Sequence, residues 1–162
     1  MKKLFLLLIF FTIPAIVFSQ NNNWSTIESQ YSAGPISPEF QFNYSIVINK
    51  DGSAALIYTK GGSTNEYSFR VGKSGRKKLN RALSNSKVFE VSEENMKMNS
   101  KLLGGAQRSI NITMWQEPNL DQMPTIIVVP GAVNPEYENG VGNLYTTIEN
   151  LVPKSVWKKA QN

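Results

Sequence analysis

Residues 41–49 place Phe42, Tyr44, Ile46 and Ile48 on one side and Gln41, Asn43, Ser45 and Asn49 on the other. A period of two fits a half-buried strand and does not fit a helix. Asp51-Gly52 follows, a dipeptide that favours the positive φ of a tight hairpin turn. Residues 54–59 then run back as a second strand. Gly61-Gly62 turns the chain again, and Tyr67, Phe69 and Val71 alternate in a third. A meander of this kind commits the chain to an antiparallel sheet with one apolar face and one wetted face.

The remaining elements are read from caps and periodicity. Ser74 can cap a helix running to about Asn85, with Leu79, Ala82 and Leu83 on its buried side. Val88, Phe89 and Val91 form an apolar plug behind that helix, and residues 93–107 read as a loop. Ile110, Ile112 and Met114 alternate in a fourth strand. Residues 125–129 are apolar almost throughout, which predicts a fifth strand that is central or covered on both faces. Residues 131–142 read as a long loop, and Asn143 opens a last helix lined by Leu144, Ile148, Leu151 and Val152, interrupted at Pro153. The order β-β-β-α-β-β-α implies an α+β domain over residues 41–162: a mainly antiparallel sheet of about five strands with two helices packed on one face. Residues 20–40 read as a polar, proline-containing lead-in, within which residues 24–31 could form a short strand or a turn of helix.

The start of the chain predicts where the protein works. Lys2-Lys3 precedes an apolar run, and Val17-Phe18-Ser19 offers a cleavage site before Gln20. The run is shorter than the ~20 residues that cross a bilayer, and Pro14 would kink it. Residues 1–19 are therefore expected to be a removed signal peptide of bacterial type, leaving an exported chain in the periplasm or outside the cell. No second apolar segment is long enough to make the mature chain span a membrane.

The chain has no histidine and no cysteine. The first absence removes the commonest general base, the commonest zinc ligand and the usual partner of a catalytic serine. Gly72-Lys73-Ser74 resembles only the end of a phosphate-binding loop, since Tyr67 stands where its first glycine belongs. Two Ser-x-x-Lys matches, at Ser74 and Ser84, lack the companion motifs that such a nucleophile requires. Carboxylates are what remains for acid–base work, and Glu136 and Glu138 share a predicted loop where they could converge. No catalytic residue, cofactor or metal site is assigned from the sequence.

Charge is segregated. Between Tyr67 and Phe89 lie seven basic residues and no acidic one. Arg76, Lys77 and Lys78 fall in the first turn of the predicted helix, where its dipole disfavours cations. A bound anion would offset that cost. Trp115 breaks the alternation of Ile110, Ile112 and Met114, so it should point to the open side of the sheet. Arg76, Lys77, Lys78, Arg81 and Trp115 are the expected ligand-binding residues. The modest net charge and the lack of aromatics within the patch argue against nucleic acid. These features point to a non-catalytic binding or interaction domain of the bacterial cell envelope, contacting a protein or an anionic glycan or lipid component. The competing reading is a small envelope hydrolase or lyase using the loop carboxylates.

Overall fold

The computed structural model describes residues 23–35, 37, 40–98, 105–115 and 123–162. The expected signal segment, and Pro38 and Pro118 in the two proline-bearing connections, lie outside the described residues. Strands β1 (Trp24–Ser32), β2 (Phe42–Asn49), β3 (Ser53–Lys60) and β4 (Ser63–Arg70) are followed by helices α1 (Lys73–Asn85) and α2 (Glu93–Met96). Then come β5 (Gln107–Met114), β6 (Ile126–Pro130), α3 (Pro135–Leu151) and α4 (Lys154–Gln161). The protein is α+β. Its six strands form one antiparallel sheet in the order β4-β3-β2-β1-β5-β6.

The meander follows its turn chemistry. Gly52 has φ +91° in the β2–β3 turn, and Gly61 and Gly62 have φ +57° and +81° between β3 and β4. Two consecutive positive φ angles in a two-residue loop match the twist of the flanking strands. Register then aligns the apolar positions: Ile27 pairs with Ile48 and Ile112, and Ile110 with Val129. Ile27, Ile46, Ile48, Leu56, Ile110 and Ile112 are fully buried beneath Leu79, Leu83, Leu144 and Ile148 of α1 and α3. Each such side chain contributes about 1.5–3 kcal/mol by leaving water. Val88 joins this core, with Phe89 and Val91 packed at its margin.

Four differences from the sequence reading matter. First, the sheet has six strands: residues 24–32, read within a lead-in, form β1 at its centre, hydrogen-bonded to both β2 and β5. Second, β6 is an edge strand, although its apolar run suggested a covered position; Ile126 is 55% exposed. Third, the described residues form four helices. Ser92 caps the short α2 by accepting from the Asn95 N–H. α3 starts at Pro135, with Asn134 as N-cap and Glu136 and Glu138 in the first turn, where carboxylates suit the dipole. Residues 135–142 and 93–96, both read within loops, are thus helical. Fourth, α1 begins at Lys73 with Gly72 as N-cap and no side-chain cap, so Ser74 does not cap it. Arg76, Lys77 and Lys78 consequently sit two residues deeper than expected, and Lys73 is the cation at the first helical position.

Candidate functional site

The N-terminal half of α1 meets the β2–β3 turn at one end of the sheet, and the two build a depression of about 480 Å³. It is lined by Trp24, Lys50, Lys73, Arg76, Lys77 and Asn80. Trp24, at the start of β1, is buried and donates its indole Nε1–H to Asn80 Oδ1 at 3.0 Å, tying the sheet to α1. Lys50 is fixed through its backbone. Its N–H donates to the Ser25 carbonyl at 2.9 Å, and its carbonyl accepts from Arg76 Nη1 at 2.9 Å.

Gly52 makes room for that arginine. A Cβ there would lie 2.5 Å from the Val71 carbonyl oxygen and 3.4 Å from Arg76 Nε, and its φ of +91° suits glycine. Arg76 Nε is buried and has no hydrogen-bond partner among the described residues. The acid of the β2–β3 turn is committed elsewhere. Asp51 Oδ1 accepts from the Ser53 N–H at 2.9 Å and the Ser53 hydroxyl at 2.7 Å. Those bonds, with the nearby Arg70 and Arg76 charges, hold its carboxyl below the usual carboxylate range.

Trp115 joins the same end of the molecule. It is 52% exposed just past β5, and Lys50 Nζ stands 5.8 Å from the centre of its ring. Lys50 Nζ also donates to Asn23 Oδ1 at 3.4 Å, and Asn23 Nδ2 donates to the Trp115 carbonyl at 3.3 Å. Lys50 therefore links the aromatic side chain to the cationic depression.

The expected ligand-binding residues do not form one surface. Arg76 and Lys77 line the depression, while Trp115 lies outside its lining and is joined to it only through Lys50. Lys78 and Arg81 face the other flank of α1, in a cleft of about 340 Å³ shared with Asn143, Thr147 and Asn150 of α3. Sequence reasoning missed Trp24, Lys50 and Asn80 as partners of the cations. Lys50 was detectable only as the residue before the Asp51-Gly52 turn, and Trp24 read as part of a lead-in.

The carboxylates do not converge. Glu136 and Glu138 are exposed in the first turn of α3, and two positions on a helix diverge by about 200°. A third acid, Glu149, is engaged by its neighbours: the Tyr44 hydroxyl donates to Oε1 at 2.9 Å and Arg108 Nη1 lies 3.8 Å away. Burial, then the bond to Glu149, raises the Tyr44 hydroxyl well above its ordinary pKa. This network braces the opposite end of the sheet, where Arg108 also lies over Tyr31 at 5.3 Å and Tyr145 at 5.8 Å.

The open face of the sheet bears a shallow groove of about 500 Å³, with Gln30, Asn43, Ser45, Thr59, Gln107 and Ser109 in its lining. Glu28 in that groove accepts from Gln30 Nε2 at 2.9 Å, so its charge is partly spoken for. Among the described residues no helix is long and apolar enough to cross a membrane. No protein-family model matches the chain, and no curated protein matches it.

Proposed function

We propose that this protein is an exported, non-catalytic binding domain of the bacterial cell envelope that holds an anionic ligand in the depression between α1 and the β2–β3 turn. One observation carries the reading: the depression gathers Lys50, Lys73, Arg76 and Lys77, and no acid lines it. Assembling like charges has a cost. Two unit charges ~8 Å apart repel by about 0.5 kcal/mol in water, and more beside a low-dielectric wall. A ligand bearing carboxylate, sulfate or phosphate groups would return that cost, and the exposed Trp115 beside Lys50 offers a flat apolar surface near by. Export rests on the lysine-led apolar segment at the chain start.

The test uses two probes, vesicles containing phosphatidylglycerol and the carboxylated polysaccharide polygalacturonate. Native protein should bind at least one of them, and the affinity should fall as salt rises. Near an anionic surface each lysine is worth about 1 kcal/mol, so Lys73→Glu with Lys77→Glu should weaken binding by about 30-fold or more. Lys78→Glu with Arg81→Glu, on the other flank, should change it far less. Equal loss from both pairs, or no binding of either probe, refutes the reading.

A further inference from the structure

The β6 edge conflicts with its own sequence. Its residues Ile126–Pro130 are Ile-Ile-Val-Val-Pro, with no charge, and it ends the sheet. The other edge, β4, carries Glu66 and Arg70 and is packed by α4. At β6, α2 packs beside the strand and residues 96–98 pair with 132–134 just past its end, leaving the stretch at Ile126 and Val128 unpaired among the described residues. Exposed edges are usually guarded by charge, because their bare backbone groups recruit further strands.

The hydrogen-bond phase shows which groups are bare. The Met114 N–H donates to the Thr125 carbonyl at 2.9 Å, and the ladder continues with Ile112 opposite Ile127 and Ile110 opposite Val129. Antiparallel pairs alternate, so residues 125, 127 and 129 turn their backbone groups to β5. Ile126 and Val128 turn theirs outward, and no hydrogen bond reaches those groups among the described residues. Pro130 occupies the same outward phase, where a missing N–H costs the ladder nothing.

Beside this edge, residues 88–93 form the far wall of a groove of about 390 Å³. Phe89 and Val91 give the wall apolar surface, and Glu90 and Glu93 give it negative charge. The groove thus offers a backbone template, apolar contact and an acidic margin. We propose that it docks an extended peptide segment of a partner protein, which adds to β6 as a seventh strand and alternates apolar with basic residues. Main-chain bonds to Ile126 and Val128 hold the guest in register, its apolar side chains meet Ile127 and Phe89 on the core side, and its cations answer Glu90 and Glu93. A second copy of the chain fits less well. Pairing β6 with β6 would gather four of these glutamates, and Pro130 lacks the N–H to complete its rung.

The experiment is a selection of phage-displayed random octapeptides on the purified protein. Enriched peptides should alternate apolar residues with lysine or arginine. A synthetic copy of the most enriched peptide should lose at least tenfold in affinity when N-methylated at alternate residues in one of the two possible phases, and little in the other. Glu90→Lys with Glu93→Lys, both on exposed positions, should weaken that peptide at least tenfold. Val128→Pro should abolish binding while keeping the melting curve, since its N–H points away from β5. No enrichment, enrichment without alternation, or indifference to both N-methyl phases overturns the proposal. So does a dimer of the protein itself that Val128→Pro dissociates, which would make the second copy the occupant.

Discussion

Two glycines on α3 should respond to the same substitution with opposite signs. Gly142 is exposed, and a Cβ there would meet nothing within 4 Å. Gly140, one residue pair earlier, faces the end of α1: a Cβ would lie 2.9 Å from the Asn85 carbonyl oxygen and 3.0 Å from Ser86 Cα. In a helix interior, alanine is favoured over glycine by about 0.8–1 kcal/mol. Gly142→Ala should therefore stabilise the fold by about that amount. Gly140→Ala has the same propensity gain but must displace backbone, not a flexible side-chain tip, and overpacking costs about 1–3 kcal/mol. The net should be neutral to about 2 kcal/mol destabilising, placing the two variants about 1–3 kcal/mol apart. Urea denaturation measures this directly, with unchanged slope and midpoints that separate. Equal stabilisation by both would refute the close approach of α1 and α3, and with it the seating of α1 that places Arg76 and Lys77 around the depression.

Trp24→Phe should keep most of the buried ring while removing the bond to Asn80, destabilising by about 0.5–1.5 kcal/mol in the same denaturation assay. Tyr44 and Tyr145 have their hydroxyl pKa raised chiefly by burial, so each favours the fold below the unfolded tyrosine pKa of about 10 and loses that contribution as pH rises through its folded value. Absorbance at tyrosinate wavelengths should show exposed tyrosines ionising first and these two only with alkaline unfolding; Glu149→Gln should lower the Tyr44 value without moving Tyr145. The proposed export predicts that mass measurement of the protein recovered outside the cytoplasm shows a chain beginning at Gln20, and a retained Lys2-Lys3 would refute removal of the signal.

Much of the sheet was legible because its strands obey simple alternation between good turns. β2, β3 and β4 needed only the positions of Ile46, Ile48 and Phe69 and the glycines at 52, 61 and 62. β1 was ambiguous for a definite reason. A register shift between Trp24 and Thr26 puts Trp24, Ile27 and Tyr31 three and four residues apart, which mimics a helical stripe. Ser29, buried in the apolar face opposite Ile46 and Ile110, hides the strand period further. α3 was shortened because Gly140 and Gly142 argued for a loop, although Asn134-Pro135-Glu136 spells a helix start. Gly140 is there for packing against α1, which no local rule reveals. The cations were visible as a cluster, but their division across two flanks depends on how α1 rolls onto the sheet. Lys50 entered the site only through a turn packed against Arg76.

The place of β1 has a consequence for how the chain assembles. β2, β3 and β4 meet through adjacent hairpins, and β5 pairs with its sequence neighbour β6. The contact between these two groups is made by β1, whose Ile27 lies opposite Ile112 far along the chain. Closing that long loop is the slow, entropically costly step, so substitutions along the β1–β5 seam should retard folding more than equal losses within the hairpins. Until β1 inserts, β2 and β5 each present a bare edge to any other unfinished chain. Among the described strands, the one that comes first in the sequence is the one that keeps its neighbours from aggregating.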